Sequence, residues 1–253
     1  MKKIAVIVAS GIGSRMGLDI PKQFVRIEIK LGDIVLDDKE VLTYTLESFQ
    51  SHKLIDEIVV VTLKDYIDHV KEEAKIHNIT KLTQVVVGGT TVQESLRNGI
   101  YSLDGVASSD DIVIIHDGVR PIVDEDVLTD VIEVCMEKGN AVSSLPYNEQ
   151  IFVIDEDNPN TTSKYINRDK LRRVATPQAY KYETIKEAYH RAFEEQIGIY
   201  PPSYTNNMMV DLGYILNFAK GSDKNIKLTT IDDITTFKSF KINEYVKQKK
   251  KVD

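Results

Sequence analysis

Residues 3–24 read KIAVIVASGIGSRMGLDIPKQF, an apolar, β-branched run that passes straight into glycines. A buried strand feeding a glycine turn is how phosphate-binding loops begin in α/β proteins, because glycine lets backbone N–H groups approach an anion. Two familiar loop patterns fail here. A dinucleotide fingerprint needs Gly-x-Gly-x-x-Gly, and after Gly11 and Gly13 the third glycine position holds Met16. A P-loop needs Gly-Lys-Ser/Thr, which is missing. What remains is a glycine turn followed by Arg15 and, seven residues later, Lys22.

That pattern suits nucleotidyl transfer, in which a phosphate monoester attacks the α-phosphate of a nucleoside triphosphate. Two polyanions must meet, so fixed cations and a Mg²⁺ are needed to lower their repulsion and to stabilise charge during in-line displacement. A phosphate monoester with a second pKa near about 6 is already largely ionised at neutral pH, so no general base is required. The same residues also fit a tight turn carrying two surface cations. A nicotinamide oxidoreductase rests on the glycine spacing alone.

Composition bounds the alternatives. The 253 residues are 42% apolar and 28% charged, as expected for one large soluble α/β domain, and no apolar run approaches the roughly 20 residues of a membrane helix. The start MKKIAVIVAS imitates a signal peptide, but its short apolar run leads into the glycine loop and reads as a first strand. A net charge of −7 argues against a nucleic-acid surface, and the basic run 247–251 reads as a solvated tail. The single cysteine, Cys135, lies at helical spacing among apolar residues, which fits a core thiol in the reducing cytoplasm. Without a second cysteine or paired histidines, zinc has no support.

Along the chain, β-branched runs alternate with helix-period segments, the pattern of a sheet wrapped by helices on both faces. Strands are expected at 3–9, 56–62, 82–88, 111–117, 141–147 and 214–220, and helices at 40–51, 64–77, 91–103, 124–138, 183–196 and 231–247. Residues 25–39 read as a small hairpin turning at Gly32-Asp33. Residues 148–170 alternate around Asp157-Asn158-Pro159-Asn160 and read as a two-stranded arm. A lone hairpin is barely stable in water, so the arm is expected to pack on something such as a second subunit.

With Pro21-Lys22-Gln23-Phe24 after the loop, the sequence resembles the cytidylyltransferases that act on 2-C-methyl-D-erythritol 4-phosphate and on D-ribitol 5-phosphate. Further matches follow in order: Val87-Gly88-Gly89 with Ser95, His116-Asp117-Gly118-Val119-Arg120-Pro121, Asn167-Arg168, Thr176-Pro177-Gln178, Thr205, and Asn225-Ile226-Lys227-Leu228-Thr229. The resemblance spans nearly the whole chain. It implies a single nucleotidyltransferase domain over 1–253 with a Rossmann-like, mostly parallel sheet flanked by helices. It also implies CTP and Mg²⁺ as cosubstrates, and a homodimer in which the protruding β-arm at 148–170 helps complete the partner's site.

Position by position, the resemblance gives Arg15 and Lys22 the triphosphate and the transition state. Ala9, Ser10, Gly11 and Gly13 approach the nucleotide, while Gly89 and Ser95 frame the cytosine. Asp117 faces Mg²⁺, beside the CTP phosphates, or a substrate hydroxyl; its other reading is a turn cap. Arg168, Thr205 and Lys227 contact the acceptor's phosphate and hydroxyls, and His116 reads as a packed neighbour. Three departures cluster on the acceptor side. Val92 stands where the family usually has Arg, Asn206 where it has Asp, and 147–150 replaces a basic-Asp-Thr stretch. CMP transfer is expected to survive these, with the acceptor open among ribitol, methylerythritol and glycerol phosphates. Val8 and Asn167-Arg168 lean toward ribitol phosphate. A nucleotide-binding homologue without catalysis is the alternative.

Overall fold

The structure is a computed structural model, and it describes residues 1–11, 17, 19–200 and 203–250. Its first half runs β1 (Lys3–Ala9), β2 (Arg26–Leu31), β3 (Ile34–Glu40), α1 (Val41–Ser51), β4 (Glu57–Thr62), α2 (Ile67–Ile76), β5 (Leu82–Val87), α3 (Val92–Tyr101), β6 (Ile112–Asp117) and α4 (Glu125–Lys138). The second half runs β7 (Asn140–Pro146), β8 (Ile151–Val153), β9 (Lys164–Ile166), β10 (Arg172–Lys181), α5 (Tyr182–Glu195), α6 (Thr205–Asp211), β11 (Phe218–Lys220) and α7 (Ile231–Lys249).

Seven of these strands form one sheet in the order β11-β7-β10-β6-β1-β4-β5, all parallel to their neighbours except β10. Because side chains alternate across a strand, β1 feeds two cores. Ala5, Ile7 and Ala9 pack with α1, α2 and α4, and Ile4 and Val6 pack with α3, α5 and α6. That explains its unbroken apolar run: a central strand covered on both faces has no side for polar residues. The Rossmann-like reading therefore holds. No helix among the described residues is long and apolar enough to cross a membrane.

The hairpin turns where expected, at Gly32-Asp33, with Gly32 at φ +61°. It is anchored by Ile27 and Ile29 against Tyr44 and Phe237 of α1 and α7. The arm also forms, as β8 paired antiparallel with β9, and Phe152, Ile154 and Tyr165 on it are exposed.

Three differences have physical causes. Residues 172–181, unassigned from the sequence, form the long antiparallel strand β10, which Pro177 disguised because proline cannot donate to a ladder. The register shifts between Ala175 and Gln178, so Thr176 and Pro177 drop out of the pairing. Residues 205–211 form the short helix α6, which carries too few turns to show a period. The strand expected at 214–220 is reduced to Phe218–Lys220.

Helix α3 begins at a capping box between Thr91 and Glu94 and sits unusually close to the sheet. A Cβ on Gly99 would come within 2.6 Å of Val61 Cγ2 and 2.8 Å of Val6 Cγ1. Overpacking of this kind costs typically about 1–3 kcal/mol, against roughly 1 kcal/mol gained in helix propensity. Gly99→Ala is expected to lower the urea midpoint, and Gly99→Val to lower it further. An undiminished midpoint for Gly99→Val would show that α3 is not seated this tightly.

Candidate active site

Strand order reverses around β1, since the chain moves from β1 to β4 and β5 on one side and then to β6 on the other. In open α/β sheets ligands settle outside the carboxyl ends of strands at such a switch point. Register places Val8 of β1 beside Asp117, the last residue of β6, so both strands end at the same edge. Two adjoining clefts open there, of about 440 and 460 Å³, and they share Val8, Val92, Asp117, Tyr204 and Lys227.

The first cleft is lined by Ala9, Ser10, Gly11, Lys22, Gly89 and Ser95, which the sequence reading grouped at a nucleotide. Gly13 and Arg15, grouped with them, lie outside the described residues. The main chain here is held by side chains. Gln23 Nε2 donates to the carbonyls of Ala9, at 2.7 Å, and Gly11, at 3.0 Å. Ser95 Oγ donates to Thr91 O and accepts from Gly89 N–H and Ser10 Oγ–H. A hydroxyl has one hydrogen and two lone pairs, so Ser95 is fully committed to organising Gly89 and Ser10. A Cβ on Gly88 would fall 2.6 Å from Ser10 Cβ, so only glycine permits this approach. Lys22, nearly buried, reaches the cleft from a single 3₁₀ turn, Lys22–Phe24, which Phe24 anchors by stacking on Tyr66 at 4.2 Å.

Asp117 lies at the junction of the clefts. Its Oδ2 accepts from Arg120 Nε at 2.9 Å and lies 3.1 Å from Lys227 Nζ. Arg120 also donates to Asn225 O at 2.8 Å. Asn225 Nδ2 donates to Thr176 O at 2.6 Å, and Asp117 N–H donates to Thr176 Oγ1 at 3.1 Å. These four residues close a ring of hydrogen bonds through the register break of β10. Burial alone would raise the Asp117 pKa, but Lys227 and Arg120 outweigh it and hold the carboxyl down at about 2. His116 has the opposite fate: burial lowers it to about 4. It is neutral at pH 7, donates from Nε2 to Arg120 O at 3.0 Å, and packs on Phe49.

The second cleft takes Thr176, Thr205 and Asn206 besides Arg120. Thr205 Oγ1 meets Tyr189 OH at 2.9 Å, and Asn206 Oδ1 is buried with no partner among the described residues. Val92, at 50% exposed, gives the shared wall an apolar face. Arg168 is not brought to either cleft. It stands on the arm, where Nη1 donates to Asn148 O at 2.6 Å. Arg120, Gln23 and Thr176 fall within the motifs, which assign them no role. A cation three residues after Asp117 was the available signal for Arg120, whereas the partners of Gln23 and Thr176 are main-chain groups that no motif displays.

The carboxyl of Asp117 gives a pH test. A group whose folded pKa, about 2, lies below its unfolded value of about 3.9 stabilises the fold above that value and loses the contribution as pH falls toward the folded pKa. Between about pH 4 and pH 2, the native chain should therefore lose stability more steeply than Asp117→Asn in denaturant titrations. Parallel curves would show that the two cations do not hold this carboxylate.

Comparisons with known proteins show the family. Residues 3–241 match the family model of IspD, 2-C-methyl-D-erythritol 4-phosphate cytidylyltransferase. A ribitol-5-phosphate cytidylyltransferase of Lacticaseibacillus paracasei is 50% identical, over 93% of this chain and 96% of its own length. A 2-C-methyl-D-erythritol 4-phosphate cytidylyltransferase of Clostridium tetani is 35% identical, over 94% and 90%. A solved 4-diphosphocytidyl-2C-methyl-D-erythritol synthase from Anaerococcus prevotii superposes with a TM-score of 0.76 at 25% identity, covering 94% of this chain and 95% of that one. The chain belongs to the IspD family of cytidylyltransferases, which are nucleotidyltransferases.

Proposed function

We propose that the chain transfers CMP from CTP to ribitol 5-phosphate and releases pyrophosphate, in the cytoplasm. The observation that carries the reading is the Asp117–Arg120–Lys227 cluster at the meeting point of two clefts. The half-identical Lacticaseibacillus relative supports ribitol 5-phosphate as the acceptor. The location fits a lone cysteine, Cys135, that is buried, with burial raising its thiol to about 12.

CTP occupies the first cleft, its base against Gly89 and Ser10 and its phosphates against the loop after β1, with Lys22 and Arg15 as their cations. The acceptor occupies the second cleft, its phosphate drawn by Arg120 and Lys227. One phosphate oxygen of the acceptor attacks the α-phosphorus, an O–P bond forms in line, and the α–β bridging bond breaks with its electron pair leaving on pyrophosphate. No proton has to be removed first. This fits His116, which is neutral and turned to a backbone carbonyl.

A Mg²⁺ fits the donor set in one way. The described residues hold no cluster of three or more His, Cys, Asp or Glu that could bind a metal, but Asp117 is an ionised carboxylate whose contacts with Arg120 and Lys227 both fall on Oδ2. Mg²⁺ commonly takes one or two carboxylates plus substrate phosphates, so Asp117 would hold it together with CTP. When bound, the ion supplies neutralisation of the phosphate charge during displacement.

The exposed apolar arm is the dimerisation element in this reading, with Arg168 presented to the partner's acceptor cleft. Phe152→Asp with Tyr165→Asp should convert a dimer to a monomer in sedimentation velocity and lower acceptor affinity; a dimer that persists would remove the arm from the interface.

A pyrophosphate-coupled assay with CTP tests the reaction. Ribitol 5-phosphate should be preferred over methylerythritol, erythritol and glycerol phosphates. Lys22→Ala and Arg15→Ala should each lower kcat roughly 100- to 1,000-fold, as loss of a transition-state donor does. Full rates in both variants would refute the mechanism.

A further inference from the structure

Behind the second cleft, a chain of buried groups has a hydrogen-bond direction that can be assigned atom by atom. Gln93, on the first turn of α3, is buried, and its Nε2 donates to Gly198 O at 2.8 Å and to Ser203 Oγ at 3.1 Å. Ser203 sends its own hydrogen to Gly198 O, so its oxygen accepts from Gln93. Both amide hydrogens of Gln93 are thereby used, and its Oε1 lies 2.9 Å from Tyr189 OH. A carbonyl oxygen can only accept, so the phenol donates to it. Burial raises the phenol's pKa and keeps that hydrogen in place. Thr205 Oγ1 lies 2.9 Å from the same phenol oxygen. The phenol has no second hydrogen, so Thr205 must donate. What Thr205 has left for the cleft it lines is lone pairs.

An ionised phosphate offers only lone pairs, and a polyol hydroxyl offers a hydrogen. We infer that Gln93 and Tyr189 are positioning residues that fix Thr205 as a hydrogen-bond acceptor, so that Thr205 reads a hydroxyl of the polyol and not its phosphate. The neighbouring Asn206 Oδ1 is buried as well and has no donor among the described residues. The phosphate is left to Arg120 and Lys227, the cations of that cleft. This narrows the sequence expectation that Thr205 serves phosphate and hydroxyls alike, and it rests on the polyol-phosphate reading proposed above.

The test compares kcat/KM for ribitol 5-phosphate with that for each of its mono-deoxy analogues. A site built to bond a substrate hydroxyl rejects the analogue lacking it strongly, so the native enzyme should discriminate against one analogue by about 100-fold or more. Thr205→Val and Tyr189→Phe should each reduce that ratio to about tenfold or less, with the KM for CTP unchanged. Gln93→Leu should behave like Tyr189→Phe, whereas Gln93→Glu, which still offers Tyr189 an acceptor, should restore discrimination. If Tyr189→Phe discriminates fully, or if the KM for CTP rises in parallel with the lost discrimination, the relay is overturned and the CMP transfer reading stands. If the native enzyme transfers CMP to no polyol phosphate, the functional reading falls and takes this inference with it.

Discussion

One carboxylate held between two cations organises this site. Asp117 accepts from Arg120 and lies against Lys227, and the arrangement exists before any substrate arrives. Partly desolvated ion pairs add little net stability, because the Coulomb gain is offset by lost hydration. The benefit here is placement. Two cations kept at the junction of the clefts are electrostatic preorganisation, and in the proposed reading a dianionic acceptor would find its counter-charges already ordered. The ring through Asn225 and Thr176 ties the triad to the loop before α7 and to the irregular point of β10, which makes it a property of the fold and not of one loop.

The first cleft is built differently. Its surface is main chain, shaped by glycines and held from behind by Gln23 and Ser95. Main-chain donors suit a ligand whose recognition is wanted regardless of what attacks it, because they leave little to vary by substitution. The second cleft uses side chains from β6, β10, α6 and the 225–229 loop, which converge only after the chain has crossed the sheet several times. Here single substitutions can change the polar pattern without disturbing the sheet.

That contrast explains what the sequence revealed. β1 was legible because a strand covered on both faces leaves little room for polar positions. The hairpin was legible from Gly32-Asp33, and the arm from the turn residues around Asn158-Pro159. β10 was hidden because Pro177 interrupts its period, yet that same interruption lets Thr176 cap the Asp117 N–H. α6 was hidden by its brevity. Asp117 could be named from its motif, but its partner Arg120 took its role only when the loop after β6 folded back. Nothing in the sequence around Gln93 shows that it touches Tyr189, 96 residues away.

Charge and hydrogen-bond polarity therefore differ in how they are encoded. A lysine is a cation wherever it stands, so a cationic site can be read one position at a time. A threonine is donor or acceptor according to its neighbours, and here the neighbours are Tyr189 and, behind it, Gln93. Two chains with the same threonine in the cleft could present opposite polarities to a substrate if the residue at the Gln93 position differed. Under the proposed relay, acceptor choice among such enzymes would be set partly by residues that never touch the acceptor. Matching the cleft-lining residues alone would assign the reaction correctly and still leave the polyol undetermined.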